Sequence, residues 1–194
     1  MKGLLLLVLV RFYSPAATAM QVDGYYLNAN NDTIKTKIDL PHWLGKITVG
    51  MYTKLIVVDT SNTYSKQVFK PEDVKGYGFE YKGEHRDFVS KTFEGKSRFF
   101  ELTRSGPAVK LYTIVESSGG GSYSYSVIKC IIEKPDSTYV WLAGDESGKK
   151  TKTKLKEFFT DPALQDKINA SFNARENLEE DVDKLVDGLN GKGR

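Results

Sequence analysis

The stretch Phe99–Val115, FFELTRSGPAVKLYTIV, constrains the fold more than any other part of the chain. Two apolar-rich runs, Phe99–Thr103 and Ala108–Val115, flank Ser105-Gly106-Pro107. Glycine supplies positive φ and proline presets φ, so the backbone reverses there. In the second run Val109, Leu111, Thr113 and Val115 point one way, and Ala108, Lys110, Tyr112 and Ile114 the other. Both sides are largely apolar, which marks a strand inside a sheet rather than at its edge. The rest of the chain reads as built around this hairpin.

Upstream, Val22–Asn28 and Thr33–Leu40 bracket Ala29-Asn30-Asn31-Asp32, residues that tolerate the left-handed region and close Asx-turns. Ile34, Thr36, Ile38 and Leu40 alternate with Lys35, Lys37 and Asp39, a strand with one wet side. Pro41–Gly45 breaks the pattern, and Ile47–Asp59 resumes it as one bent or two short strands. Tyr64–Phe69 leads to a turn at Lys70–Asp73. In Val74–Tyr81, Gly76 and Gly78 alternate with aromatics, a sign of a bulge or a close backbone approach. The charged stretch Lys82–Lys96 reads as an exposed hairpin or loop, and Ser117–Ser122 as a flexible connector. Tyr123–Glu133 and Ser137–Ala143 form a further pair around Lys134-Pro135-Asp136.

From Lys149 the character changes. The basic run Lys149–Lys156 is a solvated lead-in to a helix at Pro162–Phe172, with Asp161 as N-cap and Pro162 at its first position. Leu178, Val182, Leu185 and Leu189 stripe a second helix over Glu176–Leu189. Strands first and helices last make an α+β protein: a mainly antiparallel, twisted sheet or half-open barrel of about eight to ten strands, with two C-terminal helices packed on it. The expected division is a leader over 1–19, a β-rich domain over 20–148 and a helical segment over 149–194.

The leader follows from Lys2, the apolar run Gly3–Val10 and the small-x-small pattern Ala17-Thr18-Ala19, with cleavage after Ala19. Eight residues rise about 12 Å as a helix, far short of the roughly 30 Å hydrocarbon core. With the leader removed no transmembrane span is expected, and 26 basic residues face 25 acidic ones. Such balance leaves no field to attract nucleic acid. The single Cys130 rules out an internal disulfide and reads as a buried structural thiol.

Several phrases resemble one family. GYYLNANNDTIKTKI at Gly24–Ile38, FKPEDVKGYGFEY at Phe69–Tyr81 and FFELTRSGPAVKLY at Phe99–Tyr112 are similar to uncharacterised exported proteins of Bacteroidetes, which read "GYI…NGDTIKGKI", "Y.P.DIKGFGF" and "FL..L..GKV.LY". LKEFFTDPALQDKI at Leu155–Ile168 resembles their "L..YF.DCP.L..KI". Thr36 stands where a glycine is common, and Ala163 follows Pro162 without the frequent cysteine. The resemblance implies export and carries no activity, cofactor or catalytic residue.

Chemistry-bearing constellations are sparse. His42, His85 and Cys130 are scattered, so neither a metal site nor a thiol–imidazole nucleophile is expected, and no cofactor motif is present. Ser118–Ser122 lacks the Gly-Lys-Ser/Thr ending of a phosphate loop. Glu72, Asp73, Glu80, Glu84 and Asp87 supply loop carboxylates from which a polymer hydrolase would draw its pair. The aromatics carry the functional expectation. Tyr123 and Tyr125 share a face of one strand, Tyr139 and Trp141 a face of the next. Paired across the hairpin they make a platform for a sugar ring or a partner protein. The leading expectation is a non-catalytic exported module, periplasmic or at the cell surface, that binds a protein or glycan. A hydrolase acting on envelope or dietary polymers, or an assembly component pairing through a strand edge, are the alternatives.

Overall fold

The structure, a computed structural model, describes residues 20–43, 46–59, 65–120, 123–170, 172 and 178–191. The leader read over 1–19 lies outside them. Twelve strands are described: β1 Met20–Leu27, β2 Thr33–Leu40, β3 His42–Trp43, β4 Lys46–Ile47, β5 Leu55–Asp59, β6 Ser65–Phe69, β7 Gly76–Tyr81, β8 Glu84–Phe93, β9 Lys96–Ser105, β10 Lys110–Gly120, β11 Tyr123–Glu133 and β12 Tyr139–Ala143. A 3-10 turn spans Val49–Tyr52, and three helices follow, α1 Gly148–Phe158, α2 Pro162–Ala170 and α3 Leu178–Leu189. Ten strands form one antiparallel sheet in the order β12-β11-β10-β9-β8-β7-β1-β2-β5-β6, which does not close. β3 and β4 pair separately. The protein is α+β and mainly β.

The Phe99–Val115 hairpin is β9–β10, in the interior as its two apolar faces require. Leu111 and Thr113 are buried on one side, and Tyr112 and Ile114 on the other. One face carries Tyr77, Phe79, Phe88 and Phe99 beneath the 3-10 turn, where the Tyr77 hydroxyl donates to the carbonyl of Met51 at 2.6 Å. Further along the same face Leu111, Cys130, Ile132 and Leu142 meet Leu155, Ile168, Val182 and Val186 of the helices.

Burial pushes the Cys130 thiol up to about 12, with Glu179 and Asp183 adding to it. Since the thiolate is the reactive form, Cys130 should resist alkylation in the native protein at pH 8 and react only through global unfolding. Labelling rates measured across a urea series should therefore track the unfolding curve; fast labelling without denaturant would contradict the burial.

Three expectations need correction. Lys82–Lys96 is not a loop: apart from its two turns it is β8, ten residues long, between β7 and β9. Its charges are paired across the sheet, Arg86 with Glu101 and Lys91 with Glu133. Ser117–Gly120 is not a connector but the end of β10, held in register by Ser126–Tyr123 of β11; residues 121 and 122 lie outside those described. Lys149–Lys156 is itself helical, so three helices are described. Ser147 caps α1, and Thr151 and Leu155 give it a buried stripe.

The Asn28–Asp32 turn forms as read, the Asn28 Oδ1 accepting from the amides of Asn30 and Asp32. Gly78 answers the expectation of a close approach. A side chain there would meet the Tyr25 ring, which crosses that strand to reach Asp87.

Candidate functional site

Trp141 and Tyr139 occupy alternate positions of β12, opposite Ile131 and Glu133 of β11. Alternation sends Val140 and Leu142 to the helices and leaves the two aromatics on the other face. There they meet Phe93, from the end of β8. Its ring centroid lies 4.7 Å from Tyr139, 5.8 Å from Trp141 and 5.0 Å from Phe100. β8 and β12 are separated by three strands, a span of roughly 19 Å in a flat sheet. Direct ring contact across it requires the sheet to curl, and the aromatic face is the concave one.

The same curl brings Lys91 of β8 to Glu133 of β11, with Nζ 2.5 and 2.6 Å from the two carboxylate oxygens. The Tyr112 hydroxyl donates to that carboxylate at 2.9 Å. Lys91 also lies 4.9 Å from the Tyr112 ring centroid, and Lys129 lies 5.8 Å from that of Trp141.

β12 is an edge strand. Beside it is a trough of about 440 Å³ lined by Tyr139, Trp141 and Phe158 together with Glu94, Lys154 and Glu157. Lys154 donates to the carbonyl of Trp141 at 3.0 Å and to Glu146 at 2.7 Å, which covers part of the strand's free edge. Tyr139 is 39% exposed, an unusually open position for a large ring that also touches Phe93. The Trp141 Nε1 has no hydrogen-bond partner among the described residues.

Of the four aromatics expected to form one platform, Tyr139 and Trp141 share a face of β12, while Tyr125 lies far along β11 from them. β12 is five residues long against eleven for β11, and its pairing stops at Lys129 with Ala143. Tyr125 pairs instead with Ser118 of β10, about 20 Å along the strand from the position opposite Trp141. There it is 56% exposed and borders a separate cleft with Leu178 and Glu179. The backbone of Tyr123 pairs with Gly120, further still from Trp141. Tyr139 and Trp141 are brought together; Phe158, which lines the trough with them, and Phe93, which packs against both, were not foreseen. Their only local signal is an apolar residue ending a charged stretch.

Of the five carboxylates, Asp73, Glu80 and Asp87 are held by neighbours of their own. The Asp73 carboxylate accepts from the Lys70 amide at 2.7 Å and closes a turn. Glu80 and Asp87 bracket His85, at 2.7 Å from Nδ1 and 3.0 Å from Nε2, and Asp87 also accepts from the Tyr25 hydroxyl. The hydrogen bond to Glu80, with Asp87 adding to it, raises the His85 pKa above the usual imidazole value. A raised folded-state value means that the stabilisation from His85 is present below its unfolded pKa and is lost as pH rises through the folded one. NMR titration of the His85 ring should give a midpoint above that of a free histidine, and Glu80→Gln should lower it; an unchanged midpoint would deny the Glu80 contact. Among the described residues no three His, Cys, Asp or Glu side chains are grouped to hold a metal ion. No described helix is long and apolar enough to cross a membrane.

No family model, curated protein or solved structure matches the chain.

Proposed function

We propose that this chain is a non-catalytic, exported binding module whose trough along β12 takes a glycan. The observation that carries the reading is the open aromatic wall of Tyr139, Trp141 and Phe158 beside Glu94 and Glu157. Sugar rings present apolar C–H faces that stack on aromatics, and hydroxyls that donate to carboxylates. The wall is braced from behind by Phe93 and Phe100, so little order has to be created on binding. The leader pattern of the sequence and its resemblance to exported Bacteroidetes proteins support a place outside the cytoplasm.

Titration with a panel of oligosaccharides, followed by Trp141 fluorescence and NMR shifts of β12, tests the reading. A binding glycan should shift β12 resonances, and Tyr139→Ala should weaken it about tenfold or more by removing one stacking face. A panel that leaves β12 unmoved would reject the trough as a glycan site.

A protein partner has one observation in its favour, the other sheet edge. Ser65–Val68 of β6 is exposed, Val68 at 54%, and an uncovered edge accepts another strand. Assembly through β6 predicts a concentration-dependent oligomer in sedimentation that Val68→Glu abolishes; a monomer at every concentration would exclude it. The hydrolase reading has less support, since Asp73, Glu80 and Asp87 are engaged with their own neighbours.

A further inference from the structure

We infer that, if the trough takes a glycan, the glycan is an acidic one, whose negatively charged group enters a lysine-lined cavity next to the trough. This cavity, about 360 Å³, lies between the β9–β10 turn at Gly106-Pro107 and the β11–β12 turn at Lys134-Pro135. Three lysines reach it from three elements: Lys91 from β8, Lys110 from β10 and Lys134 from the β11–β12 turn. A single carboxylate, Glu133, lines it with them.

The charges do not balance. Glu133 is already committed, gripped by Lys91 and accepting from Tyr112. Lys110 is its cross-strand neighbour in the register and is exposed, with no ion pair to it. Lys134 donates to a neutral group, the Phe158 carbonyl, at 2.7 Å. Lys110 thus borders a concave site with no ion pair among the described residues, and Lys134, whose charge is felt by the exposed Asp136 of the same turn, stands with it there; two cations so placed raise the local concentration of an anion.

The cavity and the trough are adjacent. Lys134 Nζ stands 4.1 Å from the centroid of the Phe158 ring, and Phe158 lines the trough. Tyr139 begins two residues after Ser137, which lines the cavity. A sugar ring stacked on Tyr139 and Phe158 therefore has the lysines within reach of a charged substituent. Carboxylate and sulfate ester share the required chemistry, an oxyanion carried on a ring.

The test titrates the full chain with three oligosaccharides, one uronate-rich, one sulfated and one neutral, and with inorganic sulfate alone. Binding of an acidic oligosaccharide about tenfold or more above the neutral one, with the preference shrinking as salt rises, is the expected result. Whichever acidic arm binds identifies the group. Lys110→Ala should remove most of that preference and leave neutral binding unchanged; Lys110 is exposed, so its removal tests charge without disturbing the core. Equal affinity for acidic and neutral oligosaccharides would overturn the acidic-group site while leaving the trough a glycan site. Sulfate shifts confined to residues around Lys110 and Lys134, with no oligosaccharide bound, would overturn the glycan and keep the anion site. Absence of any shift would overturn both.

Discussion

Phe99→Ala should lower the unfolding free energy by about 3–5 kcal/mol, the range for truncating a large buried aromatic. Phe99 is fully buried in β9, and its ring meets Tyr77 edge-on at 5.0 Å beneath the 3-10 turn. Four strands and that turn frame the space, so the surroundings have little freedom to collapse into the void. For a chain of this size each kcal/mol moves the melting temperature by about 2–4 °C. A urea midpoint lowered by that free-energy loss divided by the slope, with the slope unchanged, is the expected readout. Val68→Ala, at an exposed edge position, serves as the reference and should change stability by no more than about 0.5 kcal/mol. A Phe99 variant that behaves like the Val68 one would mean the hairpin is not at the centre of the core.

The second large effect is expected at Asn190, just beyond α3. Its Oδ1 accepts from the amides of Ala108 and Val109 at 3.2 and 3.1 Å, and its Nδ2 donates to the Val109 carbonyl at 3.0 Å. One side chain thus satisfies three backbone groups of the β9–β10 turn. Gly106 is required beside it, since any side chain there would overlap the asparagine. Asn190→Ala leaves those groups without partners, at a cost of about 1–3 kcal/mol. Asn190→Asp keeps the acceptor and loses only the donor, so it should recover part of the loss. Amide exchange at Ala108 and Val109 should accelerate selectively in the alanine variant; uniform exchange across β10 would show that the contact is incidental.

The parts of the fold legible in the sequence were those whose cause is local. Gly106-Pro107 forces a reversal wherever it stands, and the two-sided apolar pattern of Val109–Val115 requires an interior strand. β8 was not legible because the partners of its charges are remote. Arg86 finds Glu101 on the adjacent strand, and Lys91 finds Glu133 beyond two intervening strands, so read alone the segment is merely polar. Ser117–Gly120 has a composition that flexes in isolation and is ordered only by the opposing strand. α1 did carry a usable signal: Ser147 before Thr151, Leu155 and Phe159 is an N-cap followed by a stripe at helical spacing. Its lysines obscured it.

The site divides in the same way. That Tyr139 and Trp141 share a face follows from a period of two. That Phe93 joins them, and Tyr125 does not, follows from the curl of the sheet and from where β12 stops. Neither is written in the aromatic spacing.

The docking of α3 also bears on timing. Arg104 of β9 pairs with Asp183 and Asp187, and 83 positions separate Arg104 from Asp187. During synthesis β9, β10 and β11 leave the ribosome while the helix that covers them is still inside it. Their helix-facing surface stays wet until the final turn of α3 is released, and contacts this distant in sequence form late. A chain truncated before Leu178 should leave Cys130 open to thiol reagents. Covering of that surface therefore waits for the last part of the core to be made, although the hairpin at its centre is complete about 60 residues earlier.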